Sequence, residues 1–237
     1  MSAERLKVQS KLNSAPPAPE DYVTWLNTLF PMYIRFPLGD RHHDMWSWAW
    51  AIEPGKYVHP FVGIWPRGSG KSTTAELITT ALGARQKKKY CWYVSETQSQ
   101  ADQHVESIAA MIENPFIAYY YPLFAERRMG KYGNVKAWRR NRLRCRNGFT
   151  IDAMGLDSAR RGSKVEEQRP DLIIVDDADG KHDSISVTQK KIATIATSIL
   201  PAGSYDTTIL AVQNLIIPDG IFSQLADGRA DFLHDRI

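Results

Sequence analysis

The run Phe61-Val62-Gly63-Ile64 passes into Trp65-Pro66-Arg67-Gly68-Ser69-Gly70 and then Lys71-Ser72-Thr73. A strand entering a tight glycine loop ahead of a helix turns its amides inward. Together with the positive end of that helix they make a cradle for phosphate oxygens. Pro66, Arg67, Gly68, Ser69, Gly70, Lys71, Ser72 and Thr73 form the cradle. In such a loop the lysine, Lys71, reaches the β and γ phosphates, and the Ser72 hydroxyl ligates magnesium. The usual spacing demands a glycine where this chain has Trp65. The flanks supply what the bare pattern lacks: a β-type run before the loop, and Ala75, Ile78, Ala81 and Leu82 at helical spacing after it. The competing account is an incidental Gly-Lys-Ser at an ordinary strand-turn-helix joint.

A second set of residues decides between the two. Arg169-Pro170-Asp171 leads into Leu172-Ile173-Ile174-Val175 and then Asp176-Asp177-Ala178-Asp179. Four apolar residues ending in carboxylates make a buried parallel strand that delivers acids to its carboxyl end, where open α/β sheets bind ligands. Asp176 is placed to hold the magnesium through water. Asp177 is placed to position or deprotonate an attacking water. Thr207 to Val212 forms another buried strand ending in Gln213-Asn214, and a neutral amide at that tip can sense whether a γ-phosphate is present.

The elements that position these groups follow from periodicity. Tyr57 to Ile64 reads as a strand, 71–84 as a helix and Tyr90 to Val94 as a second buried strand. Ala101, Val105, Ile108 and Ile112 then mark an amphipathic helix stopped by Asn114-Pro115. Strand, helix, strand, helix points to a parallel sheet with crossover helices, an α/β fold. Ser186 to Leu200 reads as a helix with a Ser186/Gln189 capping box that turns Ile192, Ile195 and Ile199 inward and stops at Pro201. Pro218 to Ala230 reads as a final helical piece. Upstream, residues 1–20 form a polar tether ending in Ala-Pro-Pro-Ala-Pro, and Asp21 caps a short helix carrying Tyr22, Trp25, Leu26 and Leu29 on one face. In Arg41 to Trp50, three tryptophans within five residues require an inward-facing helix. It is either a base-contacting segment or plain aromatic core. His42 and His43 diverge on a helix and have no second ligand pair, which argues against a metal.

With 237 residues, 43% apolar and 24% charged, the chain has room for one substantial domain. Its two cysteines, Cys91 and Cys145, lie in strand-like runs, which points to a reducing compartment rather than a disulfide framework. No apolar run approaches a membrane span, and the polar N-terminus is no signal peptide. The net charge is +4, but the segment from Arg127 to Arg146 holds nine Lys/Arg and no Asp or Glu, leaving the remainder acidic. A local basic stretch on an acidic body suits a polyanion. Within it Arg142, Arg144 and Arg146 alternate with Leu143 and Cys145, giving one cationic and one apolar face. A three-residue loop, 146–148 with Gly148 left-handed, pairs Cys145 with Phe149 and Leu143 with Ile151. The cationic face then meets DNA phosphates, a neighbouring subunit or water. The last residues stop without a terminating signal, so a fragment of a longer protein is expected.

From about Arg41 onward the chain resembles the ATPase domain of the large terminase subunit, the DNA-packaging motor of tailed bacteriophages. Pro66 to Ser72, Arg161-Gly162, Arg169 to Asp177 and Gln213-Asn214 carry the likeness. The resemblance implies a P-loop NTPase fold with a mostly parallel central sheet, an additional catalytic strand and helices on both faces. It implies ATP and Mg2+ as cofactors, and hydrolysis by a ring of identical subunits, a pentamer when assembled, in the host cell cytoplasm. Double-stranded DNA, a portal protein and a small terminase subunit are the implied partners. Arg67 would contact the γ-phosphate, while Arg160 or Arg161 would act in trans on a neighbour's ATP. On this reading 21–237 is the ATPase domain, with a lid-like part at about 215–237. The family commonly uses Glu as catalytic carboxylate where this chain offers Asp177 and, two residues on, Asp179. The remaining residues carry no acidic cluster of the kind that the nuclease domain following in this family would bring, so no DNA cleavage is expected of this chain. Two other classes remain: a helicase-type translocase core, which would need a second motor domain, and a nucleotide-binding assembly switch without hydrolysis. Phosphate release with and without DNA, and strand displacement, separate the three.

Overall fold

The computed structural model describes residues 15–130, 134–135, 137–158 and 168–230. Asp21 starts α1 (Tyr22–Leu29) by accepting the Thr24 N–H at 2.9 Å, and Trp25, Leu26 and Leu29 face inward. Against it lies α2 (Asp40–Trp50), where Tyr22 stacks on Trp46 with ring centroids 6.1 Å apart. Trp46 is buried. Trp48 and Trp50 are half-buried and donate their indole N–H groups to the His59 and Glu20 carbonyls.

The strand expected over 57–64 is shorter, because Pro60 has no N–H for a ladder, and β1 runs over Phe61–Ile64. Then come α3 (Lys71–Ala84), β2 (Tyr90–Ser95) and α4 (Gln98–Ile112), whose Thr97 and Gln100 complete a capping box. Asn114 caps α5 (Pro115–Tyr120), and α6 (Pro122–Ala125) follows directly. The edge strands are β3 (Trp138–Arg139) and β4 (Arg142–Arg144), and the chain continues through β5 (Thr150–Gly155), β6 (Leu172–Asp176), α7 (Ile185–Thr194), β7 (Thr208–Gln213) and α8 (Ile221–Asp227).

The sheet order is β1-β7-β6-β2-β5-β4-β3. The first five strands pair in parallel, and β4 and β3 add an antiparallel edge. β7 is inserted between the phosphate-loop strand and the Asp-bearing strand, the place of the additional strand. Alternate residues of the central strands supply two apolar layers. Ile174, Leu210 and Val212 pack on the side of α1 to α4, and Ile173, Val175 and Ile209 pack with Ile195, Ile199, Ile221 and Phe222 on the other. The hairpin turn is as expected: Gly148 has φ +99°, Cys145 N–H donates to Phe149 O at 2.8 Å, and Leu143 faces Ile151.

Two expectations are corrected. Ser184, not Ser186, caps α7, and its helix changes character at Ile195–Ile199, a π turn in which Leu200 N–H reaches back to Ile195 O. A single 3-10 turn, Leu200–Ala202, follows. Pro201 has no N–H to give and its ring crowds the carbonyl of a regular helix, so the α geometry cannot continue through it. Within the stretch 218–230, only Ile221–Asp227 is helical, and Gly228 ends it at φ +78°. Both cysteines are free and buried, and burial pushes both thiols up, away from reactivity.

Candidate functional site

The glycine loop joins β1 to α3 at the carboxyl edge of the sheet. Trp65 continues the ladder, its N–H donating to Gln213 O at 3.0 Å, and its buried ring stands edge-on to His42 at 4.9 Å. Its backbone is not left-handed, so the chain does not need the glycine that the usual spacing puts there. The left-handed positions are Gly68, φ +81°, and Gly70, φ +77°, and Gly70 O accepts the first helical bond from Thr74 N–H at 2.8 Å. Pro66, Arg67 and Gly68 are exposed at the crest, whereas Lys71 is buried at the helix start.

β6 brings its acids under this loop. Ser72 Oγ donates to Asp176 Oδ1 at 3.0 Å, and Tyr93 Oη donates to Asp176 Oδ2 at 2.9 Å. Asp176 is fully buried, and burial pushes its carboxyl up to about 6 against the pull of His104. His104 itself lies with Nδ1 2.7 Å from Glu76 Oε1 and Nε2 3.7 Å from Asp176 Oδ2. Its pKa is raised: burial opposes the charge, and the Glu76 hydrogen bond with the nearby carboxylates outweighs it. Asp177 has φ +50°, a left-handed conformation that is strained for a non-glycine residue. Backbone bonds hold it there, its N–H to Val212 O at 3.3 Å and its carbonyl to Glu96 N–H at 3.1 Å. Lys71 Nζ stands 3.8 Å from Asp177 Oδ1, and that oxygen has no hydrogen-bond partner; nor does Ser69 Oγ.

Asp179 is engaged elsewhere. Its carboxylate accepts the Ile221 and Phe222 N–H groups at 2.6 and 3.1 Å, capping α8, and the group is buried. The Gln213 amide brackets the same residue: Oε1 accepts Asp179 N–H at 3.0 Å and Nε2 donates to Asp179 O at 3.3 Å. Gln213 therefore ties the loop after β6 to the tip of β7, and its side chain is turned to that loop.

Sequence reasoning missed the cleft beside the cradle. A cavity of about 300 Å3 is lined by residues 33–38, His42, Gly68 to Gly70, and Thr73, Thr74 and Leu77. Of the aromatic run Arg41 to Trp50, only His42 reaches it, its Nε2 lying 2.9 Å from Ser69 O. The visible signal was Arg35-Phe36-Pro37: Phe36 is 81% exposed at the mouth, an aromatic face with nothing to cover it in the chain's own core. Among the described residues no cluster of three or more His, Cys, Asp or Glu could cage a metal. Magnesium needs no cage. It takes one or two protein oxygens and completes its shell with water and phosphate, so the facing oxygens of Ser72 and Asp176 fit it.

Of the outlying arginines, Arg160 and Arg161 lie outside the described residues. Arg142 is bonded by Nε and Nη2 to Asp152, and Arg146 Nη1 to Glu126. Arg139, Arg142 and Arg144 line a cleft of about 590 Å3 at the antiparallel edge, far from the loop in strand order. No described helix is long and apolar enough to cross a membrane.

No protein-family model matches the chain, and no curated protein matches it. Among solved structures, the large terminase ATPase domain of Thermus phage P74-26 aligns over 81% of this chain and 69% of its own, at 14% identity and TM-score 0.52. A variant of that domain aligns over the same shares at 14% identity and TM-score 0.49. The chain has the fold of a phage large-terminase ATPase domain.

Proposed function

We propose that the chain is the ATPase motor domain of a viral terminase large subunit, hydrolysing ATP to translocate double-stranded DNA into a procapsid. The observation that carries this is the meeting of the glycine loop with the β6 carboxylates, Ser72 Oγ 3.0 Å from Asp176 Oδ1, on a sheet with a strand inserted between them. A helicase-type core or a silent switch is less well supported, because a switch has no use for a carboxylate held on a strained backbone beside Lys71.

In this reading the loop amides and Lys71 hold the phosphates, Arg67 closes on the γ-phosphate from the crest, and the base enters the cleft beside Phe36. Ser72 and Asp176 would hold Mg2+, which when bound neutralises charge on the β and γ oxygens. Asp177, whose side chain is 41% exposed beside Lys71, takes the proton of the attacking water or orients it. Asp179 serves the fold by holding the lid-like helix. Arg161, with Arg160 beside it, supplies charge to a neighbour's ATP in a homo-oligomeric ring, with portal protein and small terminase subunit as partners in the host cell cytoplasm. The test is phosphate release by the purified chain with and without duplex DNA. DNA-stimulated release that Lys71→Ala abolishes is the expected result, and release without Lys71 would overturn the site. Mixing Arg161→Ala with Lys71→Ala protein should restore part of the activity if the finger acts in trans.

A further inference from the structure

Behind the phosphate cradle lies a buried set of ionisable groups that the reading above leaves without a task. Glu76 sits on α3 four residues beyond Ser72, on the same face of the helix, and is buried although charged. Its Oε1 lies 2.7 Å from His104 Nδ1, while His104 Nε2 reaches to 3.7 Å from Asp176 Oδ2. The His104 ring stacks on Tyr93 with centroids 4.9 Å apart and planes 27° from parallel, and Tyr93 donates to the same Oδ2 at 2.9 Å. Two elements, α4 and β2, thus reach one oxygen of one aspartate, with Glu76 of α3 standing behind His104. The other oxygen is left to Ser72.

We propose that His104, braced by Glu76, is a positioning residue for the magnesium carboxylate: across 3.7 Å it draws on Oδ2 of Asp176, which Tyr93 pins by a hydrogen bond, so that Oδ1 stays turned towards Ser72. The inference rests on the nucleotide-site reading given above. A carboxylate with one oxygen pinned cannot rotate about its last bond, so its free lone pairs point in one direction. Partners of this kind, one bond removed from a metal, commonly change its affinity by about 10–100-fold. His104 also separates two buried carboxylates that would otherwise repel each other, Glu76 and Asp176. Glu76 belongs to the helix that carries Lys71 and Ser72, so the brace keeps both metal-facing oxygens in register with one another.

A histidine that merely stabilised the fold would lower melting temperature and leave the metal dependence of ligand binding alone. The discriminating measurement is ADP affinity by calorimetry, in magnesium and in EDTA, for the wild-type chain, His104→Ala, His104→Gln and Tyr93→Phe. Wild type should bind ADP more tightly with magnesium. His104→Ala should lose at least about tenfold of that gain, with EDTA affinity within about twofold of wild type. His104→Gln, whose amide can still donate to one carboxylate, should recover part of it, and Tyr93→Phe, which removes the hydrogen bond to Oδ2, should lose a comparable part. Should His104→Ala fail to fold, the other two variants carry the test, and a wild-type magnesium gain in both overturns the role of His104. If the wild-type chain gains nothing from magnesium, the nucleotide-site reading falls first and takes this one with it. Those two failures are distinguishable in a single data set.

Discussion

The two rims of this sheet handle charge in opposite ways. At the antiparallel edge, the basic stretch meets carboxylates brought in from elsewhere: Arg142 meets Asp152, Arg146 meets Glu126, Arg127 meets Glu113 and Arg140 meets Glu106. At the parallel strand tips, around the glycine loop, charges approach without a hydrogen bond. Lys71 and Asp177 are 3.8 Å apart, Asp177 Oδ1 and Ser69 Oγ bond to nothing, and Asp177 is held at φ +50°. An unmatched buried polar atom and a strained backbone each destabilise a fold by roughly 1–3 kcal/mol. They persist where a ligand completes them. A count of like charges in sequence therefore marks a rim where ion pairs form, and the strained Asp177 lies at the other.

The strongest way to break this contrast is to remove the groups at the open rim. Lys71→Ala and Asp177→Asn should each reduce ATP hydrolysis by about 10²–10⁴-fold, the range for a lost charge stabiliser or general base. Asp177→Asn should nonetheless bind nucleotide, and its melting should change little, because the Lys71 pair it loses spans 3.8 Å and the Asp177 side chain is 41% exposed. Asp179→Ala should behave the opposite way. It uncaps α8 and leaves the Ile221 and Phe222 N–H groups unpaired, lowering stability by about 1–2 kcal/mol in a urea titration, with turnover mildly affected. Reversed phenotypes would make Asp179 the catalytic carboxylate.

A smaller effect, titration, sharpens the comparison. Asp176 has its carboxyl raised from 3.8 to about 6 by burial. The folded state therefore holds a proton that the unfolded state has lost. That contribution to the stability of the nucleotide-free protein is complete below about pH 4 and disappears as pH rises through about 6. His104, also raised, titrates in the same sense at higher pH. Thermal melts between pH 4 and 8 should show wild type losing ground to Asp176→Asn as pH rises. Magnesium requires the ionised carboxylate, so magnesium-dependent nucleotide affinity should weaken as pH drops below about 6. Parallel melting curves for the two proteins would show that the open rim does not carry the charge assigned to it.

Much of the architecture was legible because each central strand is a short apolar run and each crossover helix keeps its period. The left-handed Gly148 and the pairing of Leu143 with Ile151 followed from asking which register keeps apolar residues on one face. What stayed hidden was set by contacts distant in sequence. The task of Asp179 depends on where the 221 N–H falls, 42 residues later, and Gln213 turns to a backbone 34 residues upstream. The neutralisation of Arg142 and Arg146 required knowing that Asp152 and Glu126 lie across from them. The Ser184 cap was missed because Ser186 offers the same chemistry two residues on, and only backbone direction separates them.

The smallest effects should come from the closed rim, where the two kinds of arginine can be told apart. Asp152 is 3% exposed and, among the described residues, would keep only the Tyr90 hydroxyl, at 2.7 Å, once Arg142 is gone. Arg142→Gln should therefore cost about 1–3 kcal/mol of stability, with any loss of polyanion binding following from that. Arg139 and Arg144 line the cleft of about 590 Å3. If that cleft takes DNA phosphates, log affinity should fall with log salt by about 0.9 per phosphate neutralised. The variant Arg139→Gln should then flatten the slope by up to about 1, with less effect on melting than Arg142→Gln. Salt titrations of duplex binding for both proteins, each at matched folded fraction, make the comparison direct. An unchanged slope combined with lost self-association would assign this rim to a neighbouring subunit. A slope flattened equally by Arg142→Gln would mean that the Asp152 pair opens to meet DNA, and that the rim is less closed than its bonds indicate.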